Sequence, residues 1–315
     1  MDSSLFKKDI LTASQFTKKD VERVVAVTRS MRDIVDKDGS TDILKGNIMT
    51  ALFYEPSSRT FGSFVAAMQR LGGGFIPLQG VVYSSVAKGE SLPDTVRTFA
   101  SFSDCIVLRH PQVGAAVTAA DATAKPVINA GDGPGEHPTQ ALLDFFTIMD
   151  HFGSVDGLTI TLVGDLLNGR TVHSLITLLS LFSPKAIHLV SPEVLKMTRD
   201  HLEGPKKSGI KVIEHEALDD VLGETDVLYA TRVQKERFTD LDVYEKVKYS
   251  YIITPDIMKK SKKTAILMHP FPRLGEIDGA VDADPRALYL RAQIPNGMYV
   301  RMALLALVLK EDISV

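Results

Sequence analysis

The 315-residue chain has a single cysteine, Cys105, and no surplus of positive charge. One cysteine excludes an intramolecular disulfide and any zinc site built from several cysteines, and it suits a reducing compartment. Lysine and arginine number 36 against 39 aspartate and glutamate residues, for a net charge of −3. This balance argues against non-specific nucleic-acid binding, which needs a basic surplus, and we expect no nucleic-acid partner.

A long apolar run is also missing. The first residues are polar and charged, without the apolar core of a signal peptide. The most apolar stretch, residues 298–309, contains Arg301 and is too short to cross a bilayer, so it predicts a buried helix. With 44% hydrophobic and 24% charged residues, the composition is typical of a soluble globular protein. We expect a cytoplasmic protein without membrane association.

Helical and strand-like patterns alternate along the chain. Helices are predicted over residues 17–35, where Thr17 and Asp20 are placed like a capping pair, and over residues 137–151 and 171–181. Short apolar runs predict strands at residues 48–54, 105–108, 127–129, 158–163, 186–190, 211–213, 227–230 and 265–268. Such alternation predicts an α/β fold whose parallel sheets are covered on both faces.

The alternating pattern is interrupted near residues 151–157. We therefore predict two doubly wound domains, each a parallel sheet flanked by helices. The first domain covers residues 1–150, and the C-terminal helix, at about residues 293–310, crosses back to it. The second domain covers residues 151–292.

Arginines, hydroxyls and amides follow the predicted strands at their carboxyl ends, where open parallel sheets bind ligands. The segments concerned are residues 57–60, 109–111, 137–140, 164–171, 231–234 and 269–273. Helix N-termini and guanidinium groups both favour phosphates and carboxylates. Each segment alone has a simpler interpretation, such as helix capping by Ser57 or Ser58. Six of them together predict a site for anions.

Residues 164–171 imitate the phosphate loop of nucleotide hydrolases. Arg170 replaces the expected lysine, and no later strand ends in an obvious magnesium-binding aspartate, so we disfavour that function. The sequence shows no nucleophile–base pair and no cluster with metal-ligand spacing, and we expect neither a metal nor a cofactor. The remaining chemistry is positioning and electrostatic stabilisation, which suits transfer of an acyl-like group from phosphate to an amine.

These motifs, together with residues 84–90, resemble those of the aspartate carbamoyltransferases over nearly the whole chain. Residues 135–137 and 296–302 are most similar to the transferase domain of eukaryotic multifunctional pyrimidine-synthesis proteins. The resemblance implies transfer of the carbamoyl group from carbamoyl phosphate to L-aspartate, giving N-carbamoyl-L-aspartate and phosphate in de novo pyrimidine biosynthesis. Residues 1–150 would then bind carbamoyl phosphate and residues 151–292 aspartate, and fusion to other pathway domains stays open.

The resemblance also implies a role for each site residue. The phosphate would be held by Ser57, Ser58, Arg59 and Thr60. The carbamoyl group would be surrounded by Thr60, Arg109, His137 and Gln140. Aspartate would be bound by Arg170, Thr171, Arg232 and Gln234, and by backbone carbonyls of Pro270 and Phe271. Ser84 and Lys88 would enter from the neighbouring subunit of a homotrimer with shared active sites. The catalytic residues would be Arg59, Thr60, Lys88, Arg109 and His137.

Two finer expectations come with the resemblance. Glu55 and Arg237 would help to orient the arginines that bind aspartate. The Phe271–Pro272 peptide bond is predicted to be cis, because the segment turns sharply at a strand end and cis geometry costs little before proline.

Two alternative functions stay open at this point. An ornithine carbamoyltransferase shares the phosphate motifs, but its amine substrate carries only one carboxylate. Arg170 and Arg232 suit a dicarboxylate better, and Pro270 stands where the ornithine enzymes carry cysteine. The other alternative is a catalytically silent scaffold that binds anions, which the intact set of site residues disfavours.

Overall fold

The computed structural model describes residues 5–80 and 85–313. The chain forms two compact units: unit 1 comprises Met1–Leu143 and Pro295–Val315, and unit 2 comprises Asp144–Ile294. The chain therefore passes into unit 2 seven residues before the predicted division at residue 151, inside a helix rather than in the glycine-containing segment after it. The C-terminal segment returns to unit 1, as predicted.

In the described part of the chain, the strands of unit 1 are β1 (Ile48–Phe53), β2 (Gly74–Gln79), β3 (Cys105–His110) and β4 (Val127–Asp132). They form one parallel sheet in the order β2-β1-β3-β4. The chain proceeds from β1 to one neighbour, β2, and then crosses to the other side, β3. The order thus reverses between β1 and β3, which is where doubly wound sheets bind their ligands.

Strand β2 is absent from the strands predicted above. The run that forms β2 contains Pro77, and a proline normally argues against a strand. β2 lies at the edge of the sheet, where a residue without a backbone N–H is tolerated.

The helices of unit 1 include α1 (Lys18–Asp38), α2 (Ser58–Arg70), α3 (Leu92–Ala100), α4 (Ala115–Asp121) and the first turns of α5 (Pro138–Phe152). The predicted cap of α1 is confirmed: the Asp20 amide donates to Thr17 Oγ1 at 3.2 Å, and the Thr17 amide donates to Asp20 Oδ2 at 2.8 Å. α3 and α4 pack against β3 around buried Val96, Ile106 and Ala119.

The described strands of unit 2 are β5 (Thr159–Val163), β6 (Ala186–Val190), β7 (Val212–His215), β8 (Val227–Ala230) and β9 (Ile266–Met268), in the parallel order β7-β6-β5-β8-β9. Its helices include α6 (Arg170–Leu179), α7 (Arg199–Lys207), α8 (Leu241–Val247) and α9 (Pro255–Lys260). Here the order reverses between β5 and β8. The two parallel sheets flanked by helices confirm the predicted fold class.

The last helix, α10 (Ile294–Leu309), follows a π-helical turn at Tyr289–Gln293 and is almost entirely buried from residue 296 onward. Its one arginine, Arg301, donates to Ser63 Oγ of α2 at 2.7 Å and lies 5.1 Å from the centre of the Phe64 ring. Among the described residues, only Tyr289–Leu309 is long and apolar enough to cross a membrane, and 67% of its most apolar window is buried in the protein. This burial is typical of a core helix.

Val300 in α10 is completely buried, whereas Val117 on α4 is 47% exposed. We predict that Val300→Ala lowers the free energy of unfolding of unit 1 by about 2 kcal/mol, because two methyl groups leave the core and a cavity remains. Val117→Ala should change it by no more than about 0.5 kcal/mol. Urea unfolding followed by circular dichroism measures both. Equal effects of the two substitutions would contradict a core position for α10.

Candidate active site

The loop after β1 and the first turn of α2 lie at the point of order reversal in unit 1. Arg59 is exposed in that turn, and Thr60 beside it is buried. The Ser57 side chain, at the position preceding α2, makes no capping hydrogen bond. Simple helix capping by Ser57 is therefore excluded, and the amides of this turn are arranged as in an anion-binding helix N-terminus.

Arg109 lies at the end of β3, in register with Phe53 of β1. Its Nη1 donates to the Ala130 carbonyl at 3.1 Å, and its Nε lies 3.4 Å from Glu55 Oε2. Burial lowers the pKa of Arg109, the Glu55 carboxylate opposes this, and the positive charge of Arg59 lowers it further. Two guanidinium groups thus share one end of the sheet. Within unit 1, the carboxylate of Glu55 is paired with Arg109.

The loop after β4 is shaped by a buried carboxylate. Asp132 accepts hydrogen bonds from the Gly114 amide at 2.9 Å and from the Glu136 amide at 2.7 Å. Gly133 has a φ of 54° and packs so closely that a Cβ there would lie 2.2 Å from the Pro111 carbonyl oxygen. The loop after β4 is therefore held against the loop after β3.

His137 and Gln140 lie where that loop enters α5. The His137 carbonyl accepts the Gln140 amide at 3.0 Å, so the two residues are joined in the first turn. The His137 side chain is buried, and its Nδ1 lies 3.5 Å from Thr139 Oγ1. Unit 1 thus brings together the predicted site residues Ser57, Ser58, Arg59, Thr60, Arg109, His137 and Gln140 at the carboxyl ends of neighbouring strands.

The two residues predicted to serve a neighbouring subunit lie near one another in the sequence. Ser84 lies outside the described residues. Lys88 is exposed at the end of a short 3₁₀ turn, Ser85–Lys88. The side chain of Lys88 is therefore accessible from outside the single chain.

In unit 2, the buried carboxylate of Asp165 joins the loops that follow β5 and β8. It accepts the Asn168 amide at 2.9 Å and the Gln234 amide at 3.2 Å. Burial raises the pKa of Asp165, and these hydrogen bonds together with Arg232 oppose that rise. A phosphate loop would offer its amides to an anionic ligand. Here the Asn168 amide is occupied by Asp165, which speaks further against a nucleotide hydrolase.

Gly164 permits this arrangement. It has a φ of 117°, and a Cβ at this position would lie 2.3 Å from the Thr231 carbonyl oxygen. Only glycine combines that backbone conformation with so close an approach. The two loops are further tied by Gln234 Nε2, which donates to the Asn168 carbonyl at 2.9 Å.

Arg170 and Thr171 begin α6, and Arg232 lies on the loop after β8. Both terminal nitrogens of the Arg232 guanidinium donate to the Glu236 carboxylate, with Nη1 3.0 Å from Oε2. The hydrogen bond to Glu236 raises the pKa of Arg232, burial opposes that rise, and the negative charges nearby add to it. The arginines predicted to bind aspartate therefore stand at the ends of β5 and β8, on either side of the order reversal.

The segment after β9 turns sharply. The Phe271–Pro272 peptide bond is cis, as predicted, and Phe271 has a φ of 55°. The Phe271 amide donates to His269 Nδ1 at 2.9 Å, and the Phe271 ring lies 5.9 Å from that of Tyr289. The side chain of Phe271 is thus used in packing against its own unit.

The acids that hold these loops were missed as site components. Asp132 and Asp165 stand beside glycines at strand ends, and this position could have indicated them. The predicted site was instead based on the arginines nearby. Within residues 5–80 and 85–313, no group of three or more His, Cys, Asp or Glu side chains is placed to hold a metal ion.

Comparison with known protein families gives two matches that together span most of the chain. The carbamoyl-P binding domain of the aspartate/ornithine carbamoyltransferases matches residues 8–150, and the Asp/Orn binding domain matches residues 156–308.

Individual relatives agree with these matches. The multifunctional protein pyr1-3 of Dictyostelium discoideum is 51% identical over 98% of this chain, which spans 14% of that relative's length. The chloroplastic aspartate carbamoyltransferase of Arabidopsis thaliana is 49% identical, over 96% of this chain and 77% of its own length. The crystal structure of aspartate transcarbamoylase from Trypanosoma cruzi in complex with carbamoyl phosphate and aspartate superposes with a TM-score of 0.93 at 46% identity, covering 97% of this chain and 98% of the other.

These relatives are about half identical to this chain over almost its entire length, and the related crystal structure has the same fold. Both domain matches occur, in the order of the family. The chain belongs to the aspartate carbamoyltransferase family.

Proposed function

We propose that this chain transfers the carbamoyl group of carbamoyl phosphate to the amine of L-aspartate, releasing N-carbamoyl-L-aspartate and phosphate. The amine nitrogen forms a bond to the carbonyl carbon, the bond from that carbon to the bridging phosphate oxygen breaks, and the proton that the amine loses passes to the departing phosphate. The family membership and the ligands of the related trypanosomal structure support this reaction.

The observation that carries the choice of amine substrate is the pair Arg170 and Arg232. They stand at the ends of the adjacent strands β5 and β8, on loops joined through buried Asp165. Guanidinium groups bind carboxylates in a bidentate fork, so two arginines held in this way suit a dicarboxylate. Aspartate has two carboxylates and ornithine has one. Gln234 on the loop after β8 and Thr171 in the first turn of α6 would complete the binding of aspartate.

In unit 1, the exposed Arg59 and the start of α2 would hold the phosphate, with Ser57, Ser58 and Thr60 as further donors. Arg109 and His137, with Gln140, would donate to the carbonyl oxygen of the carbamoyl group. Negative charge grows on that oxygen and on the departing phosphate as the amine attacks. Donors already fixed in place, as Arg109 is by Ala130 and Glu55, stabilise this charge without reorganisation.

A direct assay separates the candidate activities. The purified chain, given carbamoyl phosphate and either L-aspartate or L-ornithine, should form carbamoyl aspartate and no carbamoyl ornithine in a colorimetric assay for the ureido group. Carbamoyl ornithine as the product would favour the ornithine enzyme. A folded protein that forms neither product, while still binding phosphate, would indicate an anion-binding scaffold.

We predict that Arg109→Ala lowers kcat by on the order of 10²–10³-fold, the usual effect of losing one donor to an oxyanion. KM for carbamoyl phosphate should change much less, because the interaction strengthens mainly in the transition state. Steady-state kinetics measure both values. Arg97→Ala is the matched control. Arg97 is an exposed arginine of α3 in unit 1, where it pairs with Asp94, and it belongs to none of the predicted site segments. A change confined to KM would contradict the role of Arg109.

We further propose that the active form is a homotrimer in which Ser84 and Lys88 complete the site of the adjacent subunit. A phosphate and two carboxylates together carry about four negative charges, which the four site arginines only match. The exposed Lys88 would add a further cation. The relatives named above include multifunctional proteins much longer than this chain. The cytoplasm is the proposed compartment, supported by the lone, buried thiol of Cys105.

Subunit complementation tests the shared site. Lys88→Ala and Arg59→Ala proteins should each be nearly inactive. When the two are mixed, dissociated and reassembled, a site with intact Arg59 can receive intact Lys88 from the next subunit. Random reassembly should therefore restore about a quarter of the wild-type activity.

Lys45→Ala is the control. It replaces another exposed lysine of unit 1, whose side chain is 75% exposed, and the variant should be active without being mixed with a second variant. If Lys88 served its own chain, every site in the mixture would stay defective and no activity would return.

A further inference from the structure

Asp144 is the first residue of unit 2 and is completely buried within α5, where Phe145 and Phe146 follow it. Taking a carboxylate out of water is costly unless its oxygens receive hydrogen bonds. Asp144 has this compensation, since each of its two oxygens accepts a hydrogen bond of 2.6 Å from a different side chain. The two donors, Tyr229 and Gln293, come from elements far apart in the sequence.

The first donor leads to the start of α6. Tyr229, buried in β8, donates from its hydroxyl to Asp144 Oδ2. Burial raises the pKa of Tyr229 well above its ordinary value, and the charge of Asp144 raises it further, so the hydroxyl keeps its proton. The side chain of Thr171, the neighbour of Arg170, lies beside the same hydroxyl and opposes the rise in its pKa. This path connects Asp144 with the residues proposed to bind a carboxylate of aspartate.

The second donor leads to the turn after β9. Gln293, in the π-helical turn before α10, donates from Nε2 to Asp144 Oδ1 and accepts the His269 amide on Oε1 at 2.8 Å. His269 precedes Pro270 and accepts the Phe271 amide on Nδ1. Since one end of the Gln293 amide donates and the other accepts, its orientation is determined. This path connects Asp144 with the backbone proposed to meet the amine substrate.

We propose that Asp144 is a positioning residue for aspartate, joining the start of α6 to the turn at Pro270 and Phe271. The inference rests on the proposed function. Both partners of Asp144 are donors, so the position needs two acceptors, which a carboxylate provides and an amide does not. The hydrogen bonds are charge-assisted, and such bonds are stronger and geometrically more restrictive than neutral ones. The carboxylate thus sets the spacing of two substrate-contacting segments without touching the substrate.

The role predicts a selective kinetic defect. Tyr229→Phe removes one hydroxyl and leaves the bond between Asp144 and Gln293 in place, so the protein should fold. KM for aspartate should rise about tenfold, because a substrate-binding segment loses a charge-assisted hydrogen bond that holds it. KM for carbamoyl phosphate, whose binding residues lie in unit 1, should stay within about twofold. Asp144→Asn leaves one acceptor for two donors and should raise KM for aspartate at least as much.

The matched control is Thr161→Val. Thr161 is also completely buried in unit 2, and its hydroxyl bonds at 2.6 Å to that of Thr225, which donates to the Val221 carbonyl. This substitution removes a buried hydroxyl that is bonded to Thr225 and to no residue of either path. Thermal unfolding of all variants, measured with the kinetics, shows whether the stability losses are comparable.

A rise in KM for aspartate in Tyr229→Phe and Asp144→Asn, absent from Thr161→Val at similar thermal stability, supports the proposal. The proposal is overturned if KM for aspartate is unchanged in Tyr229→Phe, or if KM changes equally for both substrates in all variants. The proposed function stands in both cases as long as the wild-type protein forms carbamoyl aspartate. A wild-type protein that forms no carbamoyl aspartate overturns the proposed function itself. Should Asp144→Asn fail to fold, Tyr229→Phe alone decides between these outcomes.

Discussion

All the described strands of both sheets run parallel, and this constraint determines where chemistry can occur. Parallel strands bring their carboxyl ends to one edge, and the order of strands reverses once in each sheet. Arg59 and Arg109 meet in this way across β1 and β3, although a helix, a strand and a second helix separate them along the chain. The loops after β5 and β8 meet by the same geometry in unit 2. Each unit therefore has its candidate site residues at the carboxyl ends of the strands, where the strand order reverses.

The site residues divide by charge. Arginines and hydroxyls lie toward the ends of the strands, where anionic substrates would bind, while buried acids accept hydrogen bonds from the protein itself. Asp132 holds the loop before His137, and Asp165 holds the loops that carry Arg170 and Arg232. A buried carboxylate that accepts several donors resists displacement, because moving any one donor leaves charge unsatisfied in a medium of low polarity. Electrostatic stabilisation of a reacting anion depends on such prior fixation of the donors.

Much of the fold could be predicted from local sequence. Periodicity located nearly all the described strands, and the capping pair of α1 was identified from Thr17 and Asp20 alone. The missed strand has a physical cause. β2 contains a proline that only an edge position accommodates, and edge position is a property of the assembled sheet.

By itself, the sequence determined the fold class, the segments at the strand ends and, through the resemblance they carry, the family and its reaction. These follow from residue type and spacing, which are local. Only the tertiary structure decided which acid holds which loop. Asp144 looks like any polar residue in an amphipathic helix, yet it accepts hydrogen bonds from Tyr229 and Gln293, 85 and 149 positions away. Contacts between distant residues depend on how strands cross over and helices pack, and no short stretch of sequence contains that information.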